Sequence, residues 1–389
     1  MKLLFIGDIA STHALAWMAL LDGSGAMIRC FATNRARLPA ALGRTVHGTG
    51  RGWPLLGARR GLPFPIPELI TVAGRVVGVD LHRAVGVAAL VRLTRRFRPD
   101  LIHCFGATDG GLYALDALAR LGRVAPPPAL VVQARGGPDL VDGCLHPSLR
   151  PRLESLYRRC DLAICDNLPN YRRVAELGCP EQRRFGRAVP GTGGVEVGAD
   201  GLTLPSARRR ILYLPKAYEY YQSKLLPCLA ALCALRDELG DTLIMATAVN
   251  EEARAAIRRL PDDVRDRFSC HPRVAHQQAL AFMRQARAIL APSVLDGVPN
   301  VLYEAMARGA VPIVSPLEEI LAAGIGERNA LFARNLYPAE IAQRIKTALF
   351  DDPRVDAMAQ ANYRLVARLA SRARIKHEVI DAYRALAAR

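Results

Sequence analysis

Short apolar runs alternate with longer amphipathic stretches along nearly the whole chain. KLLFIG (2–7), MIRCFAT (27–33), LIHCFGA (101–107), ALVVQAR (129–135) and LAICDN (162–167) have the length and composition of strands, and each leads into a cluster of Gly, Asn, Asp or Ser. Between them, stretches such as AVGVAALVRLTRRFRPD (84–100) repeat Val, Leu and Phe at helical spacing. Strands that are apolar on both faces and alternate with helices predict a parallel sheet covered by helices. The alternation breaks at 187–210, a passage dense in Gly and Pro that reads as a flexible linker. It then restarts, with strands expected at 210–215, 242–248, 267–272, 288–293 and 311–316. Helices are expected at 224–239, 251–260, 276–286 and 301–308, before a helical, Ala/Arg-rich tail from 338 to 389.

At 389 residues the chain is long enough for two domains, each with its own core. The expected fold class is α/β: two Rossmann-like doubly wound parallel-sheet domains facing across a cleft. The boundaries read as 1–200 and 205–375, with a closing helix at 376–389 packing back on the first domain. Ligands of such sheets bind beyond the carboxyl ends of the strands. Residues 43–66 form a Gly- and Pro-rich insertion, either a lid or acceptor loop or a surface excursion.

Composition narrows the class. A hydrophobic share of 51% with 23% charged residues excludes a disordered chain. No run approaches 18 apolar residues, and Asp8 interrupts the opening run before a signal-peptide core is complete, so a cytoplasmic protein is expected. The nine Cys form no C-x-x-C pair and read as buried free thiols. The net charge of +17 rests on 48 Arg against five Lys. Residues 1–199 carry 26 basic and 15 acidic side chains and the remainder 27 and 21, so the excess leans to the first half. An anionic partner fits that excess, and so does a generic Arg-rich surface. No nucleic-acid module is present, so the inner face of an anionic membrane is the better match among anionic partners.

The chemistry concentrates in APSVLDGVPNVLYEAMARGAVPIVS (291–315). VLDGVPN forms the loop at a strand's carboxyl end and VLYEAMARG opens a helix closed by Gly309. The amides of Gly297, Val298, Asn300 and Val301 therefore stand at a helix N-terminus, where orphan donors and the dipole favour phosphate. Pro299 stiffens the loop without adding a donor. Asp296 and Glu304 flank this anion site, and carboxylates accept strong hydrogen bonds from sugar hydroxyls. A nucleotide-sugar offers hydroxyls on both sides of its diphosphate. Alternatively, Asp296-Gly297 is only a turn and Glu304 only an early-helix acid.

The pattern PS-x-x-D-G-x-P-N-x-x-x-E-A-M-A-x-G-x-x-P-I-x-S closely resembles the E-x7-E signature of the large retaining glycosyltransferase family numbered four, whose members have the GT-B fold. Segments 329–353, 160–180 and 379–389 are similar to other parts of that family. The resemblance covers 160–389 well and 1–159 loosely. It implies that Asp296, standing where the family has its first Glu, bonds a donor-sugar hydroxyl, and that Glu304 holds the ribose hydroxyls. Asp is one methylene shorter, which bears on donor choice. The family's diphosphate-neutralising Lys is matched by Lys224, and Lys216 replaces its Arg, although the Gly-Arg pair is absent. Fixed cations there lower the barrier to breaking a sugar–phosphate bond. No D-x-D occurs, so neither a metal nor a cofactor is expected, the nucleotide-sugar being a substrate.

In the first domain Gly7 follows the opening strand and could let a ligand approach, while His13 and His103 are expected past strand ends, facing the cleft; Gly7 and His13 are donor-binding candidates. A His in the family often contacts the donor sugar, and His103 falls near that position. QARGGPDL (133–140) resembles the family's acceptor loop and marks Arg135, Gly136, Gly137 and Asp139 as acceptor-side candidates. The resemblance implies transfer of a sugar from a nucleotide-sugar to a glycan or lipid-linked glycan at the inner membrane face. Two alternatives stay open: a sugar-nucleotide epimerase or hydrolase on the same fold, and a non-catalytic scaffold that binds glycan or membrane.

Overall fold

The computed structural model describes residues 1–33, 46–48, 81–122, 127–198, 201–334 and 336–389. The chain divides into two compact units, Met1–Gly193 with Arg374–Arg389, and Gly194–Ala373. The insertion at 43–66 lies outside the described residues except for Val46–Gly48.

Among the described residues the first unit is built on six parallel strands: β1 (Lys2–Gly7), β2 (Met27–Ala32), β3 (Val46–Gly48), β4 (Leu101–Phe105), β5 (Ala129–Ala134) and β6 (Leu162–Cys165), in the order β3-β2-β1-β4-β5-β6. Side chains alternate across a strand, so a sheet covered on both faces needs apolar residues at every position. Leu4, Ile6, Ile102, Cys104, Leu130 and Val132 enter one core. Leu3, Phe5, Leu101, Phe105 and Val131 enter the other. That second core also takes Ile375, Val379 and Tyr383 of the last helix, Arg372–Ala387.

The second unit repeats the plan with β7 (Ile211–Leu214), a small antiparallel hairpin of β8 (Glu219–Tyr220) and β9 (Ser223–Lys224), then β10 (Leu243–Ala246), β11 (Phe268–Cys270), β12 (Ala288–Leu290), β13 (Val311–Val314) and β14 (Leu331–Phe332). Its six-stranded sheet runs β11-β10-β7-β12-β13-β14, the same order as the first when numbered within the sheet, and it is parallel throughout. Leu212, Leu214, Ala288 and Leu290 face one core and Ile211, Tyr213 and Ile289 the other.

The segment 187–210, expected to be a flexible linker, is held along most of its length. Arg187 pairs with Glu378 in the first unit. Val195 is buried, donates its amide to Ala370 O and accepts from Arg372 N. Arg208 donates to Met283 O, Ala286 O and Arg308 O. A sequence rich in Gly and Pro lacks periodicity, but its backbone groups and one half-buried arginine still find partners.

All nine cysteines are free, six of them buried. Among the described residues, no helix is long and apolar enough to cross a membrane.

The turn after β1 depends on Gly7. Its φ of +136° is one that L side chains rarely adopt, and a Cβ there would stand 2.5 Å from the carbonyl oxygen of Phe105 on the neighbouring strand. Gly7→Ala is therefore expected to destabilise the first unit by about 2–4 kcal/mol, strain and overpacking together. Urea denaturation checks this, and a stability within 0.5 kcal/mol of wild type, about the scatter of a neutral surface change, would contradict it.

Candidate functional site

In an open parallel sheet the ligand crevice opens where the strand order reverses. In the second unit that point lies between β7 and β12. The loops at their carboxyl ends, 215–222 and 291–299, are stitched together by backbone bonds: Lys224 N to Pro292 O (3.1 Å), and Val294 N and Leu295 N to Tyr221 O (2.8 and 3.2 Å). Ser223 Oγ also donates to Lys216 O, and Ser315 Oγ accepts from Ser293 N at 3.0 Å. The β8–β9 hairpin thus fixes both loops before any ligand arrives.

Across this crevice Lys216 Nζ and Asp296 Oδ2 form an ion pair at 2.9 Å, with side-chain exposures of 27% and 14%. Asp296 Oδ1 accepts the amide of Gly297 at 2.9 Å, so that amide already has a partner inside the loop. Val298 is buried in the core and anchors the turn. The helix begins at Asn300, runs to Ala307 with Pro299 as its N-cap residue, and carries no side-chain cap. The positive end of the helix dipole therefore stands at Asn300 and Val301. Gly309 takes the left-handed conformation that ends the helix.

Glu304 sits one turn into this helix, its side chain 12% exposed, and accepts from His276 Nε2 at 2.7 Å. That bond raises the imidazole above its ordinary range, against burial and the nearby charges of Arg308 and Arg372. Lys224 Nζ pairs with Glu219 at 2.9 Å across the hairpin, and Glu219's other oxygen takes the amide of Leu226 at 2.9 Å. Each of the two lysines therefore carries its own carboxylate. Asp296, Gly297, Val298, Pro299, Asn300, Val301, Glu304 and Lys216 gather on the loops and helix at the carboxyl ends of β7 and β12, with Lys224 at the hairpin's end.

Glu219 and His276 escaped the sequence analysis. Glu219 stands five residues before Lys224 in a Tyr-rich stretch with no periodicity, and His276 is an isolated helix-opening residue 28 positions before its partner. No local signal marks either.

At the equivalent crevice of the first unit, Gly7 closes β1 and Ser11 caps the helix Thr12–Met18, in whose first turn His13 is half-buried. Arg135 follows β5; its guanidinium lies 4.4 Å over the Phe105 ring and donates to Ser11 Oγ at 3.1 Å. Burial lowers it to about 10, so it stays charged at neutral pH. Asp139 accepts the amides of Ala107, Thr108 and Arg135 and the Thr108 hydroxyl, tying the loops after β4 and β5 together. Gly136 and Gly137 open the helix Gly136–Leu145, and the amide of Gly136 goes to Asp166 at 2.6 Å. In this arrangement Arg135 reaches toward the β1 turn while Asp139 acts as a structural brace.

His103 stands elsewhere. It was expected past a strand end, but β4 continues to Phe105, so His103 is a mid-strand residue with no solvent exposure. Its ring packs among Phe5, Phe105, Trp17 and Tyr383. Tyr383 OH takes the Trp17 indole N–H at 3.0 Å and donates to His103 Nδ1 at 2.6 Å, leaving Nε2 to donate to Gln133 at 3.2 Å. Burial lowers this imidazole to about 3, so it is neutral and pins the last helix to the sheet. Among the described residues, no group of three or more His, Cys, Asp or Glu stands close enough to hold a metal ion.

Residues 208–351, which contain the whole crevice of the second unit, match the family model described as Glycosyl transferases group 1. A search of curated protein sequences returns no match. Among solved structures the chain is similar to Anabaena HepE in complex with UDP-glucose, at 13% identity and a TM-score of 0.67 over 99% of this chain and 100% of that one. It is similar to sucrose-phosphate synthase from Thermosynechococcus elongatus at 14% identity and a TM-score of 0.68, covering 100% and 99%. It also resembles the lipopolysaccharide outer core galactosyltransferase WaaB in its apo form, at 14% identity and a TM-score of 0.61, covering 98% and 99%. At such identities the likeness speaks for the fold: the chain has the GT-B fold of two parallel-sheet α/β domains, and its second unit carries a segment that matches group 1 glycosyl transferases.

Proposed function

We propose that the chain is a retaining, metal-independent glycosyltransferase. It moves a sugar from a nucleoside diphosphate, UDP or GDP, to a hydroxyl of a glycan or lipid-linked glycan in cell-surface polysaccharide or lipopolysaccharide synthesis. The observation that carries this proposal is the constellation at the second unit's strand-order reversal. One lysine–carboxylate pair, an uncapped helix N-terminus and a second carboxylate one helical turn on stand in the sequence order that the group 1 match covers. Lys216 and Lys224 are assigned to the diphosphate, the amides of Val298, Asn300 and Val301 to phosphate or sugar oxygens, Asp296 to the sugar, and Glu304 to the ribose.

In the reaction the C1–phosphate oxygen bond breaks, and the charge that builds on the departing diphosphate meets fixed cations rather than mobile water. The acceptor oxygen bonds to C1, and its proton passes to the departing phosphate. Arg135 and the loop that follows it, at the carboxyl end of the first sheet, are assigned to the acceptor side, and the β1 turn with Gly7 and His13 to the donor; His103, buried inside the first unit's core, is given no contact role. The HepE complex supports a uridine donor, and the net charge of +17 supports peripheral association with an anionic inner membrane face.

A thermal-shift screen against UDP, GDP and their sugars tests the assignment. A ligand at 100 times its Kd adds about 2.7 kcal/mol to the stability of the native state, which raises the melting temperature by several degrees. Absence of a shift with every nucleotide and nucleotide-sugar, at millimolar concentration, would contradict it.

A further inference from the structure

The mechanism above makes no use of His276, yet its ring is the side-chain donor that reaches Glu304. The residue opens the helix His276–Gln285, with Ala275 as N-cap and no side-chain cap. Its side chain is 64% exposed, whereas Glu304 is 12% exposed, and Nε2 meets Oε1 at 2.7 Å. An exposed imidazole has no packing reason to adopt one orientation. The near-buried carboxylate does have a reason to want a donor, because a desolvated carboxylate without one is costly. Glutamate also carries three rotatable bonds, and freezing such an arm at the moment of binding weakens affinity.

We propose that His276 is a positioning residue for the nucleoside end of the donor. It holds Glu304 Oε1 through one lone pair, leaving Oε2 and the remaining lone pair of Oε1 directed to a vicinal diol. This rests on the assignment of Glu304 to the ribose made above and extends it to a residue outside the 291–315 signature. A carboxylate offers about four acceptor sites, so one bond to the imidazole leaves room for two hydroxyls. The groups facing His276 are Glu304 on the helix Asn300–Ala307, Arg308 at the end of that helix, and Arg372. The first-named raises the imidazole and the two arginines oppose it. Tyr213 of β7 faces Glu304 from the sheet and feels its charge. The imidazole is thus protonated to a higher pH than a free one, and the bond is charge-assisted below that point and weaker above it.

The experiment is isothermal titration of the full chain with UDP-glucose and with GDP-mannose between pH 6 and 9, together with steady-state kinetics. These sugar diphosphates, unlike free nucleoside diphosphates, have no terminal phosphate that titrates in the window. His276→Ala is expected to weaken binding about threefold to tenfold, the range set by one immobilised side chain, with the loss falling on KM rather than kcat. Wild-type affinity should decline as pH rises through the imidazole's titration, and His276→Ala should be nearly flat. His276→Gln, which keeps a neutral N–H donor, should recover most of the affinity and also be flat. Binding by wild type that is unchanged or tighter in His276→Ala overturns the positioning role while the donor site stands. No binding of either nucleotide-sugar by wild type overturns the donor assignment itself, and the role of His276 with it.

Discussion

Glu304→Ala is expected to lower nucleotide-sugar affinity at least about 100-fold, and with it donor hydrolysis and transfer, while leaving the fold intact. Two hydroxyl bonds to an ionised carboxylate contribute about 1.5–3 kcal/mol each, so losing both costs roughly 3 kcal/mol or more. The same substitution should barely touch stability. The partner of Glu304 is His276, whose exposed ring returns to water, and the helix position is one that alanine favours. A change within about 0.5 kcal/mol is expected. Titration calorimetry and a urea melt on one preparation separate the two quantities. Wild-type affinity in a folded Glu304→Ala chain would remove the ribose from Glu304.

The second large effect is on the chemical step. Lys216→Met removes a fixed positive charge from beside the leaving diphosphate and is expected to lower turnover about 10²–10³-fold, the usual consequence of losing one donor aimed at developing charge. It also strands Asp296, a mostly buried carboxylate left with only the Gly297 amide. Stability should fall by about 1–3 kcal/mol. Adding Asp296→Asn removes the unpaired charge and should return much of that stability, yet none of the activity. Hydrolysis of the sugar nucleotide without acceptor is the readout, since it needs no knowledge of the acceptor. Recovery of turnover in the double variant would show that Lys216 serves Asp296 and not the diphosphate.

The fold class was legible because its signal is local. VPIV at 311–314 and LLFI inside 2–7 are apolar at every position, as a strand covered on both faces requires, and the helices between them show their own period. β14 was not legible: Leu331–Phe332 is too short to show any period, and its place at the sheet edge is decided by β13. The hairpin Glu219–Lys224 mixes Tyr, Gln, Ser and Lys, and its pairing is held by bonds to residues about 70 positions away.

The candidate site divides in the same way. Asp296 to Glu304 could be read in order because one loop and one helical turn carry the whole motif. The partners that set its electrostatics, Lys216 for Asp296 and His276 for Glu304, lie 80 and 28 residues distant and are brought in by the sheet order. His103 misled for a related reason. It was expected past a strand end, near the place of the family's donor-contacting His, but the strand continues two residues further, and a Tyr 280 positions away satisfies the ring inside the core.

The most direct measurement is a crystal structure of the chain grown with a nucleoside diphosphate. The diphosphate should lie between Lys216 and the turn at Gly297–Val301, with both ribose hydroxyls on Glu304 and the Lys216–Asp296 pair opened or shared. A nucleotide bound anywhere else, or a saturated crystal in which these loops contact none, would contradict the assignment of this crevice to the donor.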